Sequence, residues 1–456
     1  MGLIADIATL EVQRHPFFLR TSLGLLRRSS PVFRVGSTLI VTGQPQVREV
    51  FSRPKDFLFG FGNGPKMKLG PFLFGMDASR QYFDEKAVLA RGAIKDTDID
   101  RFGFLVREHA NRVLKEKDEK DGPGRSGRID LVSEFIEPVL LRAGADFYGV
   151  KLDQAESAYV DAPRGEQTYA QWIRKLGGVV GSSWPAPFGL EALANHLAAE
   201  MATFIAKQVP AAPSKSVIGT LKELASSVGA GEAIDERPHG CPAHKYRPPA
   251  SSLPTADDIA RCVGGLMLAG AAAIKASTLA LHELLGRPSV LPDAVALARV
   301  GQARTIEGYA WEALRFRPAF PFLVRYCPRA TTLATSTQYE TAVPAGARVF
   351  ISPLAAMFDP LGVERPEEFI PTRPSTTYLH FGFGLHRCFG ELLAARAIGE
   401  LLTCLLAQRV LEAGRIQYEG PAVVRYDVTS RRPMANEVAD ATSRADDSGA
   451  NLGPGR

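Results

Sequence analysis

The stretch from residue 255 to about 285 is the longest apolar helix candidate in the chain, and its middle, 263–273, is apolar almost all round. A helix without a polar face must be surrounded by other elements, so the fold has to be large enough to bury it on every side. Thr255, followed three residues later by Asp258, predicts its N-terminal cap. The rest of the chain offers the partners. Helical periodicity dominates 99–150 and 166–224, broken by the Gly/Lys/Asp-rich stretch 116–128, and the spacing predicts further helices from Gln44 to near Arg53 and over 303–316, the latter stopping before Pro318. A last helix is predicted from Cys388 to about Gln408, with Leu392, Leu393, Ile398, Leu401, Leu402, Leu405 and Leu406 on its buried side. Strands are fewer: a hairpin of 32–35 and 38–41 around Gly36-Ser37, and short runs at 323–326 and 347–351. The expectation is a mainly α fold with a small β region, a single domain over residues 1–434, and a polar, Gly-rich, disordered tail at 435–456.

Composition narrows the function classes. A formal charge of +5 on 456 residues, with runs no longer than Arg27-Arg28, leaves no footprint for nucleic acid. The five cysteines are odd in number and widely spaced, without a CxxC pair, which argues against a disulfide framework or a zinc ribbon and for a reducing compartment. Residues 1–10 carry Asp6, form no apolar run of membrane length and lack a cleavage pattern, so the expectation is a cytosolic chain with no membrane span. His239, Cys241 and His244 lie in the Gly- and Pro-rich connection 226–254; three ligands with no fourth nearby read as solvated bystanders.

The chemistry concentrates in Phe381-Gly-Phe-Gly-Leu-His-Arg-Cys388-Phe-Gly390. Gly382 and Gly384 permit backbone angles that lay a loop flat against a large planar partner. Cys388 stands where the loop ends and a helix begins, so free N–H groups and the positive helix end are expected to favour its thiolate. Gly390 lets the backbone approach closely. Alone, such a cysteine is more often a small buried hydrophobe. The whole stretch, however, resembles the haem-binding signature of the cytochrome P450 family, Phe-x-x-Gly-x-His/Arg-x-Cys-x-Gly, at every fixed position. The resemblance implies haem b (iron protoporphyrin IX) with Cys388 as axial iron ligand, a thiolate that favours O–O cleavage, and Phe381, Gly382 and Gly390 lining the cofactor.

Other blocks carry the same resemblance. Glu312-Ala-Leu-Arg315 looks like the family's Glu-x-x-Arg, whose side chains at i and i+3 share a helix face. Phe369-Ile-Pro-Thr-Arg373 resembles the element whose arginine completes a structural network with that pair. Arg325 and His386 match positions that meet the haem propionates, anions partly removed from water that need cationic or N–H donors. Gln81 and Glu85 stand where relatives carry a histidine and an arginine facing a propionate, with Lys86 and Arg91 as substitute cations nearby.

The long apolar helix departs from the family. Ala269-Gly-Ala-Ala272-Ala273 aligns with Ala/Gly-Gly-x-Asp/Glu-Thr, whose acid and alcohol relay protons to iron-bound dioxygen. Alanine offers neither donor nor acceptor at 272 or 273. Two enzymatic readings follow, both for an apolar, lipophilic small molecule in a roomy pocket walled by 263–273. One is atypical chemistry, using peroxide, rearranging an oxidised substrate or borrowing a relay group from it. The other is a reductase-dependent monooxygenase fed electrons by a ferredoxin. A third reading is a non-catalytic haem-binding or recruitment protein. Lys275, one turn beyond Ala272, resembles the basic residue with which peroxide-using relatives hold a substrate carboxylate; the plainer reading sends it to solvent or to an acid on another helix. Ser277 and Thr278 offer hydroxyls near the pocket, or bonds back to their own helix.

Overall fold

A computed structural model describes residues 14–59, 77–79, 82, 83, 86, 94–121, 127–180, 190–229 and 255–437. The tail read at 435–456 lies almost entirely outside these residues, as do Gln81, Glu85, Arg91 and the His239/Cys241/His244 group.

The long apolar segment runs through the main hydrophobic core as two helices, α8 (Ala256–Leu268) and α9 (Gly270–Leu285), in place of the single helix expected. Thr255 caps α8 with a full capping box: its side chain accepts from the Asp258 N–H, and Asp258 accepts from the Thr255 N–H. The break falls at Ala269, where the Ala272 N–H turns back to the Ala269 carbonyl at 3.0 Å, a tighter i→i−3 bond, while Ala273 reaches the same oxygen at 3.4 Å. Gly270 makes the interruption cheap, since glycine gives up about 1 kcal/mol of helix preference relative to alanine. By length and composition the segment Ala256–Leu285 could cross a membrane, but most of it is buried against other helices.

Around this axis pack α3 (Asp96–Asp121), α4 (Glu137–Tyr148), α5 (Glu166–Val180), α6 (Leu190–Gln208), α7 (Val217–Gly229), α10 (Leu291–Arg299), α11 (Ala303–Phe316) and α13 (Glu391–Gln408). The last of these begins three residues later than the sequence suggests. Gly390 is its N-cap, so Cys388 sits in the loop before it. Leu393, Ile398, Leu401, Leu402, Leu405 and Leu406 are buried there, whereas Leu392 is exposed and belongs to the other face.

A second core joins α1 (Pro16–Ser29), α2 (Gln44–Ser52) and the short α12 (Pro353–Ala356) to a four-stranded sheet. Its order is β1 (Val32–Val35), β2 (Thr38–Val41), β7 (Ala347–Ile351), β4 (Leu323–Cys327). Strands β2 and β7 run parallel and the other pairs antiparallel. Gly36, at φ +59, makes the β1–β2 turn. A small hairpin pairs β5 (Thr331–Leu333) with β6 (Thr341–Val343). Sequence periodicity missed the third sheet, in which β3 (Gly127–Asp130) pairs with β9 (Ala422–Arg431), itself paired with β8 (Val410–Glu419). Most of β8 is exposed, and register shifts between Ala413 and Tyr418 blur its alternation. Helices nonetheless far outweigh strands, and the fold class is mainly α with small sheets.

Candidate active site

Glu312 and Arg315 lie one turn apart on α11, both fully buried. Arg315 donates through Nε and Nη2 to the two Glu312 carboxylate oxygens at 3.0 and 2.7 Å, and its remaining N–H groups hold the carbonyls of Met357, Pro366 and Glu368. Arg373 donates to the same carboxylate at 3.0 Å, joined by the Ile370 N–H at 2.9 Å and the Tyr378 hydroxyl at 3.2 Å. Arg373 also binds the carbonyls of Glu364, Arg365 and Glu368. One carboxylate and two guanidinium groups therefore pin much of the irregular chain from Met357 to Tyr378, which has few ladder bonds of its own. Glu312 and Arg315 are fully buried and the Arg373 side chain is 6% exposed.

From Tyr378 the chain enters the cysteine loop. Trp311, beside Glu312 on α11, packs on Phe381 with ring centroids 4.7 Å apart. Gly382 and Gly384 adopt φ +78 and +70, and a Cβ at 384 would stand 3.3 Å from the Phe51 carbonyl oxygen. The Cys388 N–H closes the loop onto the Phe381 carbonyl at 2.8 Å. Arg387 braces the far side by donating two hydrogen bonds to the Glu391 carboxylate at 2.5 and 2.6 Å.

Cys388 is accessible, yet it lies deep enough for burial to push its thiol up to about 11; the Gly390 N–H pulls it down and Glu391 pushes it further up. In the chain alone burial therefore outweighs the helix terminus, contrary to the thiolate expected from the sequence. The sulfur stands in the loop two residues before Gly390, the N-cap of α13.

Cationic and N–H donors gather beside the loop. The Arg325 guanidinium is buried on β4, 4.0 Å from the centre of the Phe59 ring, and donates to its neighbour's carbonyl, Val324, at 3.0 Å. Burial pushes it down to about 10, with Asp77 opposing. His386 packs edge-on against Phe59 and Tyr82. Its Nδ1 is buried without a hydrogen-bond partner among the described residues, and burial, Arg325 and Lys86 together hold the ring down at about 4. Lys86 donates to the Leu385 carbonyl at 2.8 Å and to the Tyr82 hydroxyl at 3.3 Å. The sequence offered Lys86 only as a substitute cation, but the structure sets it against the cysteine loop.

The distal candidates form a third surface. Ala269 is exposed and Gly270–Ala273 are half-buried, although Val263–Gly265 before them and Ile274 and Ala276–Ala280 after them are buried. The open face is thus narrower than the 263–273 wall expected. Gly177 of α5 roofs it: a Cβ there would come within 2.4 Å of the Ala271 Cβ. Ser277 and Thr278 donate back to the Ala273 and Ile274 carbonyls at 2.8 and 2.9 Å, the helix-bonding alternative expected for them. Lys275 makes no ion pair among the described residues; its ammonium lies 5.3 Å from the centre of the Phe320 ring.

Comparison with known proteins bears on this arrangement. The family profile described as Cytochrome P450 matches residues 305–412, which hold Glu312, Arg315, Arg373 and Cys388. The whole described fold superposes on P450 structures, among them P450BioI bound to an acylated acyl carrier protein (TM-score 0.69, 15% identity, 93% of this chain and 100% of that one). A versatile cytochrome P450 from Bacillus subtilis gives 0.66 at 19% identity, over 91% and 99%. The chain has the fold of these P450 structures, and residues 305–412 match the family's profile.

Among curated P450 relatives, cyclomarin C epoxidase from Salinispora arenicola is 30% identical over 38% of this chain and 40% of its own length. Cytochrome P450 105C1 from a Streptomyces species is 36% identical over 25% and 29%. Chicken steroid 17-alpha-hydroxylase/17,20 lyase is 33% identical over 25% and 23%. The chain thus aligns with well under two thirds of the length of each. Proteins of the family that this profile describes hold haem iron. The residues present fit a haem: an accessible thiol, and beside it an orphaned buried imidazole nitrogen next to a buried guanidinium and an ammonium, which together call for an anionic partner.

Proposed function

We propose that this chain is a P450-type haem-thiolate oxidoreductase that holds haem b through Cys388 and acts on a lipophilic small molecule. The observation that carries the reading is the accessible Cys388 thiol deep within the fold, on a loop locked by the Glu312 network. When bound, the cofactor supplies the oxidative chemistry. The chain does the rest. Cys388 would hold the iron as a thiolate, since a bound cation favours the deprotonated sulfur, and the Gly390 N–H would bond to that charge. Arg325, Lys86 and the neutral His386 ring take the two propionates. Arg325→Gln is expected to speed haem transfer to excess apomyoglobin about tenfold or more, since a hydrogen bond to a charged group contributes ~1.5–3 kcal/mol. An unchanged transfer rate would remove Arg325 from that role.

The open stretch Ala269–Ala273 gives the substrate an apolar wall and excludes water. No side chain at 272 or 273 can hold or pass a proton, and the nearby hydroxyls of Ser277 and Thr278 donate to their own helix. This favours peroxide-using, rearranging or substrate-assisted chemistry. The competing reading is a conventional monooxygenase fed by a ferredoxin, favoured by the similarity to a protein named as an epoxidase. Purified holoprotein assayed on lipophilic substrates should turn over with peroxide alone. Turnover only with NADPH, a reductase and a ferredoxin would decide for the monooxygenase.

A further inference from the structure

Three helices meet at a buried cluster of charge. Arg396 on α13 is buried, and its guanidinium lies 3.0 Å from Glu307 on α11, 3.6 Å from Glu400 on α13 and 3.5 Å from Asp100 on α3. Gly103 of α3 makes room for it, since a Cβ there would stand 2.4 Å from the Arg396 Cδ. Gly399 does the same for Glu307: a Cβ there would come within 2.6 Å of the Glu307 Cγ and 2.9 Å of the Ala303 carbonyl oxygen. The packing is close, yet the pairing is incomplete. Arg396 Nε and Nη2 and Glu307 Oε1 are buried without a well-directed hydrogen bond among the described residues.

The outer charges do not make up the difference. Arg304 on α11 gives its short bond, 2.5 Å, to Asp100, where both are largely exposed, and stands 3.8 Å from Glu307. Arg107 on α3 is half exposed and 3.7 Å from Glu400. Pairs of this kind are screened by water. Cys404, one turn beyond Glu400, stays a neutral thiol, pushed up to about 12 by burial and by Glu400. Inside, Glu307 and Glu400 therefore share the one buried guanidinium of Arg396, with Glu400 buried and the Glu307 side chain 17% exposed. Two carboxylates that share one cation away from water do not both ionise readily, and the second keeps its proton. Burial raises both groups, Glu307 to about 7, with Arg304 opposing and Glu400 and Asp100 adding to the rise.

The cluster backs the cysteine loop. Trp311, which packs on Phe381, stands one turn beyond Glu307 on α11, and α13 is the helix that follows Cys388. We propose that Glu307, Arg396 and Glu400 form a proton-held latch: one proton on the carboxylate pair keeps α3, α11 and α13 closed, and its loss sets two buried negative charges against each other and loosens the junction. The latch rests on these helices alone and does not depend on what Cys388 holds.

Glu307 titrates above the ordinary glutamate value of 4.5, so its contribution to stability is complete below 4.5 and is lost as pH rises through about 7. Between about pH 6 and about pH 8 this one group should raise the unfolding constant about tenfold. Urea unfolding of the purified full chain at both pH values, at constant ionic strength, compares the wild type with Glu307→Gln, which keeps the shape and cannot ionise. The ratio of unfolding constants between the two pH values is expected to be about tenfold larger in the wild type, a comparison that cancels the histidines titrating over the same range. Infrared spectroscopy reads the proton itself. A protonated-carboxyl band present at the lower pH should vanish at the higher one, be missing from Glu307→Gln, and disappear at a lower pH in Glu400→Gln, where the competing charge is gone. Equal ratios in the wild type and Glu307→Gln would overturn the latch, as would a carboxyl band that Glu400→Gln leaves in place. A wild type with no titrating carboxyl band would overturn it too, whether or not the variants fold.

Discussion

Glu312→Ala should leave no stable haem-binding protein. The substitution removes the one carboxylate shared by Arg315 and Arg373 and strands both charges, of which Arg315 is fully buried. Breaking a buried ion pair from one side costs about 3–5 kcal/mol, and here the Ile370 N–H and the Tyr378 hydroxyl lose their acceptor as well. Against a total stability of roughly 5–15 kcal/mol, the loss is expected to appear as aggregation or as a collapsed guanidinium midpoint. Glu312→Gln, which keeps an acceptor oxygen but not the charge, should fall between. A midpoint unchanged in Glu312→Ala would mean that the arginines are held by their carbonyl contacts alone.

Cys388→Ala is expected to behave in the opposite way, leaving the fold and abolishing the chemistry. The side chain takes no part in the Glu312 network, and the bond that closes its loop is made by its backbone N–H. Circular dichroism and the denaturation midpoint of the haem-free chain should stay near wild type. Haem retention should fall sharply and turnover should vanish, because the proposed iron ligand is gone and only the side chains proposed for the propionates, Arg325, Lys86 and His386, are left. Full activity in Cys388→Ala would show that the iron takes its ligand elsewhere.

The sequence exposed the site more readily than its surroundings. Glu312, Arg315 and Arg373 are separated by up to 61 residues, yet fixed short patterns single them out, because a buried charge network tolerates few residue types. The cysteine loop was legible for a related reason, since Gly382 and Gly384 occupy left-handed backbone that other residues rarely adopt. What escaped was set by neighbours distant in sequence. The β8–β9 hairpin has an exposed, irregular strand whose partner supplies the order. Lys86 earns its position from a carbonyl 299 residues away. The break at Ala269 depends on one glycine whose effect is small beside the packing around it. Cys388 shows the limit most plainly: its place before a helix was readable, but the balance of burial against the Gly390 N–H was not.

The most direct test is iron-edge X-ray absorption on the purified resting protein. A single sulfur atom in the first coordination shell of the iron, absent in Cys388→Ala, is the result expected. A shell of nitrogen and oxygen alone in the wild-type protein would contradict ligation by Cys388 and with it the function proposed for this chain.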